Sequence, residues 1–362
     1  MKKILCGLVL TALCLTLCAC GFTAGGTYPN ADKYTVGNFT YDAASVEAVD
    51  ISWISGRVEL IESDGGTLNV TEKQGGLTDD QLMRWWLDGT TLRIQYWKSG
   101  YTGTLNSNQK RLTMEIPRDI ALTVHVTSGE IIGGNHQLKE ANLSATSGEI
   151  ELGAVNADNI TVEMTSGGLK AGPLRAAKRI AVKCTSGEIK IDNAMADTVT
   201  LQSTSGKIEA GPIDAQEFTA ECTSGDIKLE AVKADSAKVK TTSGDIRLSA
   251  RNVGGPVRLE TVSGDIEAAL YAPAGAVEFH TVSGDVEASV SPLAGPLKGR
   301  TVSGDMEVSV RGPVRASLVT RGGDADIHIG GKSLRGKNLV FGTDGFPCEL
   351  TSVSGDLTLR AD

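Results

Sequence analysis

Carboxylates occupy a fixed place in a motif that recurs along most of the 362 residues. Two positions after the serine of successive Ser-Gly pairs, or the matching position of a degenerate copy, stand Glu130, Glu149, Glu188, Asp226, Asp245, Asp265, Asp285, Asp305, Asp324 and Asp356, with Gly168 and Lys207 as interruptions. A second file, four positions after the serine, reads Lys170, Lys190, Glu209, Lys228 and Arg247, then Glu267, Glu287, Glu307 and Asp326. Basic residues offset the acids in the first run but not in the second. Asp265, Glu267, Asp285, Glu287, Asp305, Glu307, Asp324 and Asp326 are therefore the most one-sided charge feature of the chain, expected on four consecutive repeats. Hard cations choose oxygen ligands, so such a patch could hold calcium or attract a cationic peptide or polymer. Its spacing is not that of the nonapeptide calcium roll, which needs two glycines and an Asp in each half-turn. A solvated acidic face is the simpler reading. Carboxylates about 4.8 Å apart repel by only about 0.9 kcal/mol in water, and an acid after Gly can accept a backbone N–H at a turn. No cofactor is assigned, and calcium remains the one metal the patch could serve.

Other chemistry is thinner. Thr127, Thr146, Thr165, Thr185, Thr204, Thr223 and Thr242 form a file that invites comparison with ice-binding ladders, but those need two flat threonine files, and here Val262, Val282 and Val302 take over. Trp53, Trp85, Trp86 and Trp97 could stack on sugars, although clustered aromatics are more often the core of an end cap. His125, His136, His280 and His328 are scattered without metal-ligand spacing or a nucleophile partner. The recurring Ser-Gly-acid is no nucleophile elbow, because a dozen serines at a dozen turns are architecture.

The repeat dictates the elements that position these residues. Its serines fall at Ser128, Ser147, Ser166, Ser186, Ser205, Ser224, Ser243, Ser263, Ser283 and Ser303, at intervals of 19 or 20 residues, with a degenerate copy at Gly322-Gly323-Asp324 and a last one at Ser354. Apolar residues stand two, four and six places before the serine and three and five places after it, as in Ile180, Val182, Cys184, Ile189 and Ile191. Period two means strands with one buried face. The Ser-Gly is a turn between strands, and Gly-Pro at 172–173, 211–212, 255–256 and 295–296 marks a second corner. A unit this short, with no helix, predicts one coil of an all-β parallel solenoid, stacked about 4.8 Å from the next. A lone coil cannot close a core, so the stack is cooperative and needs capped ends.

The expected organisation is a leader at 1–19, a tether at 20–34, an irregular β cap at 35–120, regular coils at 121–329, and a final coil and cap at 330–362. Lys2 and Lys3 precede an apolar run, Ile4 to Leu17, that is too short to span a bilayer and reads as a secretory signal. It ends Leu17-Cys18-Ala19-Cys20-Gly21, which looks like a lipobox, with Cys20 as the lipidated first residue. Removing Lys2 and Lys3 takes the formal charge from −9 to −11, which makes nucleic acid an unsuitable partner. Beyond the leader only Cys184, Cys222 and Cys348 remain, so at least one thiol is free. Cys184 and Cys222 share a column with Ser203 between them, about 9.6 Å apart. A disulfide needs α-carbons within about 7 Å, so both are expected to be free, buried and structural.

The Thr-Val-Ser-Gly-Asp-Ile copies, together with Ile116-Pro117 and Val49-Asp50-Ile51 upstream, resemble a bacterial surface family known as the putative-adhesin family, over about residues 40–362. The resemblance implies a β-solenoid and an envelope role in contact or stress sensing. It carries over no catalytic residue. The sequence thus reads as a non-enzymatic, lipid-anchored, extracytoplasmic protein of the cell membrane or outer envelope. Its expected partners are the membrane, through the lipid, and an envelope protein, polysaccharide or cationic peptide on the acidic surface. One alternative is a polysaccharide lyase or hydrolase, since parallel β-helices often host these. Such enzymes build a groove from long inserted loops, and the period of 19 to 20 residues leaves almost no insertions. A second alternative is an envelope-stress sensor or scaffold.

Overall fold

The computed structural model describes residues 26–63, 65–102 and 110–362, so the leader and Cys20 lie outside the described residues. The chain is a parallel β-solenoid. Its spine is a ladder of serines: Ser55 pairs with Ser128, and the register continues through Ser147, Ser166, Ser186, Ser205, Ser224, Ser243, Ser263, Ser283, Ser303 and Ser354. Three residues further on, Ile131, Ile150, Leu169, Ile189, Ile208, Ile227, Ile246, Ile266, Val286, Met306 and Leu357 stack on one another. All of them are buried. The period-two alternation in the sequence becomes a continuous interior because equivalent residues lie directly over one another.

From Gly148 onward, the glycine after each serine has two reasons to be there. Gly284 sits at φ +155°, and a Cβ on it would lie 2.0 Å from the carbonyl oxygen of Gly264 in the coil beneath. Left-handed backbone and a carbonyl packed against the α-carbon both exclude a side chain. The second corner varies more. Gly211-Pro212, Gly255-Pro256 and Gly295-Pro296 stand at breaks just before strands, as expected. Gly172-Pro173 instead lies inside the 18-residue strand Leu169–Ser186. There the ladder runs through the corner without a change of register, which shifts only further along, between Arg175 and Arg179.

Stacking order departs from chain order at both ends, in the same way. Near the N-terminus, Ala48–Ser63 lies between Ala121–Gly133 on one side and the later strands Thr91–Gln95 and Arg111–Pro117 on the other. Near the C-terminus, the last coil, Phe346–Ser352 and Leu357–Ala361, inserts between Leu297–Val310 and the earlier strands Val314–Thr320 and Ala325–Ile329. Each outer coil is then covered by strands that run backwards. Thr67–Lys73 and Arg84–Asp88 do this at the N-terminal end, and Lys332–Gly336 and Asn338–Phe341 at the other. Arg84–Asp88 and Thr91–Gln95 form a hairpin that turns at Asp88-Gly89. Reversing the outermost layer ends the parallel ladder, which otherwise offers an open template for further strands.

The four tryptophans belong to the N-terminal cap. Trp53 is fully buried against Tyr96, with ring centroids 4.8 Å apart, and Trp85 stacks on Phe39 at 4.0 Å. Residues 26–34 are fastened to this cap as well: the Gly100 N–H donates to the Gly26 carbonyl, and the Tyr28 hydroxyl donates to the Trp97 carbonyl. Among the described residues no helix is long and apolar enough to cross a membrane.

Candidate functional site

The aspartates of the first acidic file are knitted into the backbone. The Asp245 N–H donates to Oδ1 of Asp226 at 3.0 Å, and Asp265, Asp285 and Asp305 each donate to the aspartate one coil below at 2.8 to 3.0 Å. The sequence suggests a contact within one turn. The structure places it between turns, because the parallel stack puts each backbone N–H directly above the previous carboxylate. One oxygen of each aspartate is thus engaged, and in Asp245 the other meets Arg247 at 3.4 Å.

The stack also corrects the expected order of the patch. Asp324 and Asp326 do not follow Asp305 and Glu307 on the next coil. The inserted C-terminal coil places Asp356 and Thr358 between them, and the hydrogen-bond chain runs Asp305, Asp356, Asp324. Asp356 therefore joins the patch and Thr358 interrupts the glutamate file.

Arginines neutralise the ends. Arg247 pairs with Glu267 at 3.3 Å, Arg335 pairs with Asp324 at 2.7 Å and reaches Asp326, and Arg360 pairs with Glu307. Asp265, Asp285, Glu287, Asp305 and Asp356 have no ion-pair partner among the described residues. Glu267, Glu287 and Glu307 stand in register along one wall of a shallow groove of about 350 Å³. Ser249, Ala269, Ser289 and Ser309 form a parallel file of small residues lining the same groove. The arrangement can accept an extended cationic segment, because small side chains leave room and carboxylates repeat at the spacing of stacked strands. Among the described residues no group of three or more His, Cys, Asp or Glu is gathered closely enough to hold a metal ion.

The remaining candidates are structural. Cys184 and Cys222 are free, buried and separated by Ser203, as their column predicts. Their thiols donate to the carbonyls of Gly167 and Gly206, the turn glycines of the coil beneath. Thr241, Thr261 and Thr281 occupy the same column and donate to Gly225, Gly244 and Gly264 in the same way. This buried polar file is legible in the sequence only once its carbonyl partners are known. Burial pushes all three thiols up, and that of Cys348 to about 12.

His125 does have a hydroxyl neighbour, Ser144, 2.9 Å from its Nδ1, but that serine also reaches the Val124 carbonyl on a flat strand face. His136 is buried in an interior column in register with Val155. In the N-terminal cap, Lys110 and Glu72 form a fully buried ion pair at 2.6 Å, with the ammonium also over the rings of Tyr96 and Trp53. Burial lowers the Lys110 pKa to about 8 despite the carboxylate beside it. Its isolated sequence position gives no sign of this contact, which folding closes across 38 residues.

The Toastrack DUF4097 family model matches residues 46–193 and 173–293. Among solved structures, the chain is similar to a putative adhesin from Bacteroides fragilis, at 9% identity over 90% of this chain and 97% of that one, with a TM-score of 0.31. It is also similar to a putative adhesin from Parabacteroides merdae, at 11% identity over 91% and 96% with a TM-score of 0.28. A putative cell adhesion protein from Clostridium sporogenes is similar at 9% identity over 91% and 100%, with a TM-score of 0.18. No curated protein matches the chain.

Proposed function

The chain belongs to the Toastrack DUF4097 family, and from that premise we propose that it is a non-enzymatic envelope protein, held outside the cytoplasm by a lipid on Cys20, that binds cationic partners on its acidic face. The observation that carries this reading is the groove beside Glu267, Glu287 and Glu307, with Glu287 lacking a counter-ion among the described residues. A basic peptide or an amine-bearing envelope polymer laid along the stack meets a carboxylate about every 4.8 Å. Binding of this kind is driven by charge and weakens as salt rises.

The polysaccharide lyase or hydrolase alternative has less support. The coils carrying the groove keep their 20-residue spacing from Ser243 to Ser303, and no inserted loop walls it in. The test is binding of an oligolysine peptide to the mature chain, followed by calorimetry at rising salt. Saturable binding that falls with salt and is lost in the Glu267→Lys, Glu287→Lys, Glu307→Lys triple variant supports the proposal. Binding that survives the triple reversal rules this face out.

A further inference from the structure

We propose that the aromatic N-terminal cap rests on the bilayer at headgroup level and that the solenoid stands away from it, carrying the glutamate groove outward. The partner of this surface is the lipid bilayer itself, and the inference rests on the anchor proposed at Cys20. The chain is already docked on the cap at Gly26, where its carbonyl accepts from the Gly100 N–H, and the Tyr28 N–H donates to Ser99 Oγ at 3.0 Å. Six residue steps separate Cys20 from Gly26, a reach of about 20 Å at full extension. A lipid on Cys20 therefore holds the cap close to the membrane, whatever path those residues take.

The surface at that point has interfacial chemistry. Tyr28, Tyr34 and Trp86 form a chain of half-buried rings, with centroids 4.8 and 5.6 Å apart, and the exposed Lys33 ammonium lies 4.7 Å from the Trp86 ring centre. Tyrosine and tryptophan with one end apolar and one end wet favour the headgroup level, and a nearby lysine adds attraction to anionic lipid. The other end lies far away. Eleven parallel steps separate Ser55 from Ser354, or roughly 50 Å at the spacing of paired strands. Lying the rod flat would press its net negative charge against anionic headgroups, which repel it.

The test uses the full-length chain, processed in a lipoprotein-exporting host and reconstituted in vesicles containing phosphatidylglycerol and a headgroup-labelled acceptor lipid. A donor dye is placed on Ala31→Cys at the cap, Glu287→Cys at the groove or Val340→Cys at the far end, all at exposed positions. Cys184, Cys222 and Cys348 are buried, and the unsubstituted chain gives the background. Energy transfer is expected to be several-fold stronger from position 31 than from 340, with 287 nearer to 340. Equal transfer from all three positions, or stronger transfer from 340, overturns the upright arrangement. Flotation with the vesicles is read separately, with Cys20→Ala as the control. If the parent chain fails to float, the anchor fails and the orientation falls with it; if it floats with uniform transfer, only the orientation fails.

Discussion

The backbone N–H of Asp305 donates to Oδ1 of Asp285 at 2.8 Å, across two coils twenty residues apart in the chain. This contact makes an acidic file, a liability by charge alone, part of what holds neighbouring turns in register. Asparagine keeps the accepting oxygen and alanine does not. Asp285→Ala is expected to cost about 1 kcal/mol, while Asp285→Asn costs clearly less. Urea unfolding of the two variants checks this, and equal losses would show that the contact contributes nothing.

Gly284 is held by its φ of +155° and by the Gly264 carbonyl, 2.0 Å from where a Cβ would be. Gly284→Ala is expected to lose about 2–4 kcal/mol, because strain and overlap act together. Gly134→Ala provides the contrast, since nothing lies within 4 Å of its Cβ position. A thermal scan should show a large drop for the first and almost none for the second.

In the column two residues before the serine, Cys184, Cys222, Thr241, Thr261 and Thr281 make the same contact to a turn-glycine carbonyl. Cys184→Thr is therefore expected to fold with stability near that of the parent chain, its hydroxyl taking over the Gly167 carbonyl as Thr261 takes the Gly244 carbonyl. In the folded parent chain a thiol reagent should react slowly with all three buried cysteines and rapidly after denaturation. Fast reaction in the native state, or a recovered disulfide between Cys184 and Cys222, would contradict this assignment.

His136 links stability to pH. Burial holds its imidazole below the ordinary value of 6.5, against the Leu60 carbonyl and Glu62, which pull it upward. The folded state therefore binds the proton less readily than the unfolded one, and stability falls as pH drops below about 6.5. His125 is shifted in the same direction by burial and adds to the loss, whereas Asp50, raised by burial, works against it in stronger acid. His136→Leu should narrow the gap between stability at pH 5 and at pH 8. An unchanged gap would remove His136 as a source of acid sensitivity.

How much of this was legible depended on whether a contact repeats. The Ser-Gly turns, the inward file from Ile131 to Met306 and the separation of Cys184 from Cys222 all follow from a constant spacing, so one repeat predicts the rest. The position of Asp356 does not follow, because insertion of the last coil between two earlier ones is decided by how the ends are closed. Local spacing is silent about that. The same holds for Arg360 beside Glu307 and for Lys110 beside Glu72, where folding brings together residues with no periodic relation. Gly172-Pro173 shows the opposite failure: a corner signal that ends strands elsewhere stands inside a strand whose ladder continues through it.

Two arginines sharpen the expected ranking within the acidic groove. Glu267 already faces Arg247 and Glu307 already faces Arg360, whereas Glu287 between them has no ion-pair partner among the described residues. A cationic ligand must compete with an arginine at the outer two positions and meets an uncompensated charge at the middle one. Glu287→Lys alone is therefore expected to weaken oligolysine binding more than Glu267→Lys, by several-fold at low salt, with the difference shrinking as the Debye length falls below about 10 Å. Arg247→Ala should do the reverse and tighten binding by freeing Glu267. Titrations of the three single variants at two salt concentrations check the order, and an effect of Glu267→Lys equal to that of Glu287→Lys would mean that the arginine does not screen its neighbour.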